Sequence, residues 1–155
     1  MMDETRDLSL RRDIAAPPGA IWRCWTEPHL LCQWFAPAPV ETVEAVIEAR
    51  AGGRFFTRMR LPEGEEVASE GCVLAAAPGQ MLAFTDALGS GFRPTAEGFM
   101  TAIISLTQIE GGTRYSATVL HATPDARQRH LDMGFHEGWG AATDQLATLA
   151  AKIKP

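Results

Sequence analysis

The chain has little cysteine, no long apolar run and no excess of positive charge, and each shortage removes a class of protein. Three cysteines, Cys24, Cys32 and Cys72, stand in 155 residues, none of them in a CxxC pair. Neither a disulfide scaffold nor a zinc ribbon is expected from that set, and thiols packed as small apolar groups suit a reducing cytoplasm. No run of about eighteen apolar residues occurs, so no membrane span is expected. The opening MMDETRDLSLRRDI carries acids where a secretory signal is basic, and no apolar stretch follows, so no leader is expected either. Asp and Glu outnumber Lys and Arg by 19 to 14, leaving a net charge of −5. Such a balance lacks the clustered cations that a nucleic-acid partner requires.

What is there is ordinary for a folded protein. Hydrophobic residues make up 46% and charged residues 21%, which excludes wholesale disorder. A chain of this length buries roughly 68–70% of its unfolded surface in one domain. A single domain over 1–155 is expected, with its core at about 8–152.

Apolar period decides the elements. Leu8, Leu10, Arg12 and Ile14 alternate with Ser9, Arg11 and Asp13 as a first strand. Pro17-Pro18-Gly19 then opens a short helix through Ile21 to Trp25. Thr26-Glu27-Pro28 reads as a second helix start, with Thr26 as cap and His29 to Phe35 as its body, stopped by Pro37 and Pro39. From residue 40 the period is two. Val43, Ala45 and Ile47 form one strand, Phe55, Thr57, Met59 and Leu61 the next, and Val67, Ser69, Gly71 and Val73 the third. Met81 to Thr85 follows, then a loose stretch from Asp86 to Gly98. Two last strands, Phe99 to Ile109 and Thr113 to His121, flank the hairpin signal Glu110-Gly111-Gly112.

The outward positions of the three-strand meander are charged in stripes: Glu44 and Glu48, then Arg54, Arg58 and Arg60, then Glu66 and Glu70. A basic stripe between two acidic ones is a cross-strand ladder, each pair contributing roughly 0.2–1 kcal/mol. Beyond the last strand, Thr123-Pro124-Asp125 starts a helix expected to run to about Lys152. Leu131, Phe135, Gly138, Trp139, Ala142, Leu146, Leu149 and Ile153 share one face. Met133 sits nearly opposite, which points either to a kink at Gly134 or to a contact with another subunit.

The order strand, two short helices, six strands and one long helix implies an α+β fold. A single curved antiparallel sheet would have its concave side covered by the carboxy-terminal helix. The small residues Gly134, Gly138, Gly140, Ala141 and Ala142 on that helix leave two outcomes open, a closer approach or a cavity. Catalytic and metal signatures are absent. His136-Glu137 does not continue as HExxH, Gly89-Ser90-Gly91 is not GxSxG, and the paired glycines sit in hairpins rather than before a helix. His130 and His136 lie on opposite flanks of the apolar stripe, so no metal ligand set and no cofactor is expected.

Several motifs in order carry a family resemblance. Trp22-Arg23-Cys24-Trp25-Thr26-Glu27-Pro28 continuing into Gln33-Trp34-Phe35-Ala36-Pro37 resembles the amino-terminal motif of bacterial START-like (SRPBCC superfamily) proteins. Gly52-Gly53-Arg54-Phe55, Phe84-Thr85-Asp86, Gly111-Gly112-Thr113-Arg114 and His136-Glu137-Gly138-Trp139 fall in the expected order. The branch is the one named for the activator of the ninety-kilodalton heat-shock chaperone's ATPase. Phe92-Arg93-Pro94 with Phe99-Met100-Thr101, and His130 with Met133-Gly134-Phe135, resemble one bacterial subgroup of it. The resemblance implies the helix-grip fold and transfers no catalytic constellation. In the eukaryotic activator a separate domain that contributes to chaperone binding precedes this one. Only residues 1–7 precede the first expected strand here, so chaperone binding is a poor expectation.

The residues expected to line a site are Phe35, Phe55, Met59, Phe84, Met100, Phe135 and Trp139. Two polar candidates join them. His121, at the end of the last strand, would be a polar anchor or general acid/base; Arg93 would clamp an anionic group at the entrance. The reading that follows is a binder or carrier of a small apolar molecule held between sheet and helix. A cyclase-like or hydrolase-like enzyme using the same cavity, or an interaction module of the co-chaperone type, are the alternatives. Homodimer formation through the outer sheet face or the Met133 side of the helix is left open.

Overall fold

Two-residue periodicity builds the sheet, and proline and glycine punctuate it. The structure, a computed structural model, describes residues 2–155, so Met1 lies outside the described residues. Strand β1 (Asp7–Ile14) is followed by helices α1 (Pro18–Thr26) and α2 (Pro28–Leu31). Strands β2 (Glu41–Ile47), β3 (Arg54–Arg60), β4 (Glu66–Ala77) and β5 (Met81–Thr85) come next. A small hairpin of β6 (Leu88–Gly89) and β7 (Arg93–Pro94), joined by a 3-10 turn, occupies the loose stretch. Strands β8 (Thr101–Ile109) and β9 (Gly112–Leu120) and helices α3 (Pro124–Asp132) and α4 (Phe135–Ala150) complete the chain.

The main sheet has seven antiparallel strands in the order β1-β9-β8-β5-β4-β3-β2. Its inward residues follow the parity read from the sequence. Tyr115, Ala117 and Val119 of β9 and Ala102 and Ile104 of β8 are sealed from solvent, with Leu8 and Leu10 of β1 beside them. Arg12 departs from that apolar row. Its guanidinium crosses α4 at Gly140, where a Cβ would come within 3.2 Å of it, and reaches Asp144 at 3.8 Å. The aliphatic stem covers the helix while the charge stays wet.

The charge ladder on the outer face forms as the stripes imply. Arg58 meets Glu44 at 3.0 Å, Arg60 meets Glu66 at 3.3 Å, and Arg54 forms a forked pair with Glu70. Arg54 and Arg58 also lie over the Phe56 ring, at 4.6 and 5.4 Å from its centre. That cover buries an aromatic ring on the face otherwise given to charge.

The structure corrects four local expectations. Thr26 does not cap α2; its hydroxyl donates to the Trp22 carbonyl at 2.8 Å and so closes α1. The second helix stops at Leu31 instead of reaching Phe35, the chain continuing in turns toward Pro37. Val43 is exposed rather than inward, because a bulge between Thr42 and Glu44 adds one residue and Thr42 turns in instead. The last helix is two helices. Gly134, at φ +90°, ends α3 and starts α4, leaving Met133 70% exposed at the corner. Only glycine adopts that left-handed backbone without strain.

Candidate functional site

The cavity begins with the aromatic residues between β1 and β2. Trp25 of α1 packs edge-on against Trp34 at 4.9 Å and Phe35 at 5.6 Å. Trp34 is fixed by its indole N–H, which donates to the Cys24 carbonyl at 2.9 Å. From the sheet, Phe55 of β3 and Phe84 of β5 stack at 4.4 Å, and Phe35 leans on Phe55. Across the gap, Phe135 stacks on Trp139, one turn along α4. Glycine or alanine at 138 and 142 then leaves the helix surface shallow, and a space of about 340 Å³ remains between α4 and the sheet.

Its rim is fastened to the helix by one side chain. Gln145 Nε2 donates to the carbonyls of Trp34 and Ala36 at 3.0 and 2.7 Å, and its Oε1 accepts from the Ala38 amide at 2.9 Å. Ala36 and Pro37, held this way, border the cavity. The Thr42 hydroxyl donates to the Phe35 carbonyl and ties the same loop to β2.

Polar groups are few: the Thr57, Ser69 and Thr85 side chains stand along the sheet wall, and the rest sit at the two ends. At the floor, the Tyr115 hydroxyl lies near the Trp25 and Thr143 side chains. Burial pushes its phenol far above the ordinary range. Trp25 Nε1 is sealed and has no hydrogen-bond partner among the described residues. At the other end, where α3 meets α4, lie Asp86 and His130. Asp86 Oδ1 accepts from the amides of Phe99 and Met100 at 2.7 and 3.0 Å. His130 is wedged between the Phe99 and Phe135 rings, at 4.8 and 5.1 Å. Its Nδ1 lies 2.9 Å from His121 Nε2, and His121 Nδ1 lies 2.8 Å from the Arg6 carbonyl. Burial first, and His121 second, push the His130 pKa down to about 4.

Of the nine residues singled out in the sequence, seven border this space: Phe35, Phe55, Met59, Phe84, Met100, Phe135 and Trp139. His121 is buried behind His130 and does not border it. Arg93 lies exposed on the β6–β7 hairpin, outside the lining. Sequence reasoning missed His130, Asp86, Tyr115 and Trp25. The signal for His130 was Gly134 itself: a glycine helix stop changes the direction of α3 relative to α4, so a single stripe drawn through both does not place the residues before the stop. Among the described residues no three His, Cys, Asp or Glu side chains gather as a metal site. Burial raises the Cys24 pKa to about 11 and raises that of Cys32 as well, away from the reactive thiolate.

A seven-stranded antiparallel sheet gripping a long carboxy-terminal helix, with two short helices after the first strand, is the helix-grip architecture of START-like proteins. Residues 15–151 match the family model described as Activator of Hsp90 ATPase homolog 1-like protein, and the chain belongs to that family. A crystal structure of a Nitrosomonas europaea protein is similar throughout, with 41% identity, a TM-score of 0.95 and 97% of each chain covered. One from Rhodobacter sphaeroides is 27% identical with a TM-score of 0.83, covering 97% of this chain and 95% of that one. The solution structure of an AHSA1-like protein from Aeromonas hydrophila, 18% identical with a TM-score of 0.70 over 94% and 92%, shares the fold. No curated protein matches the chain.

Proposed function

We propose that the space between α4 and the sheet is a hydrophobic cavity that binds a small apolar molecule, for sequestration or transport. The observation that carries the reading is the unfilled volume of about 340 Å³ walled by Phe35, Phe55, Phe84, Phe135 and Trp139. Close packing is the rule in protein interiors, and an apolar cleft of this size between helix and sheet departs from it in the way small-molecule sites do. Its size falls in the range of small-molecule sites, and apolar burial at roughly 25 cal/mol per Å² supplies the affinity. Free Cys24, Cys32 and Cys72 fit work in a reducing compartment such as the cytoplasm.

Naphthalene is a suitable probe, because Trp25 and Trp34 border the cavity and report an occupant by fluorescence. The expected result is saturable quenching at one site per chain, together with mass excess on protein isolated undenatured from its own host. Absence of saturable binding, with no such excess, would leave the family's docking-surface alternative as the better reading.

A further inference from the structure

The polar end of the cavity has a definite sense. Arg6 offers His121 a carbonyl, which only accepts, so His121 Nδ1 is the nitrogen that carries the proton. In the neutral ring Nε2 is then bare and accepts from His130 Nδ1–H at 2.9 Å. The relay leaves His130 Nε2 as a lone pair. The His130 residue is 8% exposed and its ring forms part of the cavity wall, yet Nε2 has no hydrogen-bond partner among the described residues. Burial keeps the ring from protonating at neutral pH.

The other polar group at this end is also an acceptor. Asp86 lines the same corner, anchored through Oδ1 to the Phe99 and Met100 amides. Of the other charges nearby, Arg129 lies over the Phe99 ring at 5.6 Å, and the exposed His136 packs edge-on against Phe135 at 5.1 Å. A carboxylate entering here would meet the Asp86 carboxylate and a lone pair, with only the uncapped backbone amides at the start of α4 as donors. A hydroxyl would find a ready acceptor. Nε2 is not sealed, so water can serve it in the free protein, and a ligand hydroxyl that takes the place of that water contributes a net of about 0.5–1.5 kcal/mol.

We propose that the cavity selects an apolar molecule ended by a neutral hydroxyl, alcohol or phenol, which donates to His130 Nε2, and rejects the corresponding carboxylate. The proposal rests on the carrier reading above. The recognition chemistry is opposite in sense to the anion clamp that Arg93 suggested in the sequence, because Arg93 is not in the cavity and His130 is.

The test compares naphthalene, naphthol and naphthoate by calorimetric titration near neutral pH. Naphthol should bind about tenfold tighter than naphthalene, as one recovered hydrogen bond implies, and naphthoate at least about tenfold weaker than naphthol. In His130→Phe, which keeps the ring volume between Phe99 and Phe135, naphthol and naphthalene should bind within about threefold of each other. Should that variant not fold, histidine nitrogen NMR on the unaltered protein decides. His130 Nε2 should resonate as an unprotonated nitrogen, and shift when naphthol but not naphthalene is added. Naphthoate binding as tightly as naphthol, or a protonated Nε2 in the free protein, overturns the hydroxyl selectivity. Naphthalene binding without a gain for naphthol overturns this proposal alone, whereas failure of all three probes overturns the carrier reading with it.

Discussion

Gly138 on α4 faces Pro37 across open space: outside its own helix, a Cβ there would meet only Pro37 Cγ, at 4.0 Å. A larger side chain at 138 therefore points into the cavity rather than into protein. Gly138→Leu should remove a helix-interior glycine, a gain of about 0.8–1 kcal/mol, and add apolar contact with the cavity wall. The expected outcome is a rise in Tm of a few degrees together with loss of naphthalene binding. A variant that is more stable and still binds would show that the probe sits elsewhere.

His130 makes stability depend on pH in a direction that can be worked out. Its pKa is near 4 in the folded chain against 6.5 for the free side chain. Between those values the unfolded chain binds a proton that the folded one refuses. Stability from this group is thus complete above about pH 6.5 and declines as the pH falls toward 4. Denaturant unfolding should show a loss of about 2 kcal/mol between pH 7.5 and pH 5 from this residue, by the 1.36 kcal/mol that each pKa unit represents. His130→Phe removes that component while leaving the carboxylates alone, so its profile should be flatter by the same amount. Parallel profiles would mean that His130 protonates freely in the folded state.

The sheet was legible through period two, which is clearest in β8 and β9, where burial on one face alternates along the strand, whereas β3 and β5 bury consecutive residues. The bulge at Val43 was not, because one extra residue reverses parity and only the partner strand β3 reveals where it falls. The aromatic wall was legible as well, since Phe55, Phe84, Phe135 and Trp139 occupy inward positions on elements of known period. The polar end was not. Parity carried on from β9 points His121 inward, and it is buried one residue past the end of that strand. That a second histidine from α3 stands between it and the cavity depends on the turn at Gly134, a tertiary fact. Arg93 lies in a stretch without period, where spacing gives no face at all.

Gln145 is expected to hold the cavity shut along its rim, since its three hydrogen bonds are what join residues 34–38 to α4. Gln145→Leu keeps the side chain's bulk and the helix, and deletes all three. Two carbonyls and one amide lose their partner, and water reaches the exposed ones, so a cost of about 1–3 kcal/mol is expected rather than the sum of three buried losses. Hydrogen exchange gives the sharper reading. The Ala38 amide, whose acceptor is the Gln145 carbonyl oxygen, should exchange faster by more than the global destabilisation accounts for, because the loop opens locally. Naphthalene should bind more weakly in step, as Ala36 and Pro37 leave their place at the border. Equal acceleration of Ala38 and of the core amides of β8 and β9 would instead place the loop inside the global unfolding unit, and the rim would not open on its own.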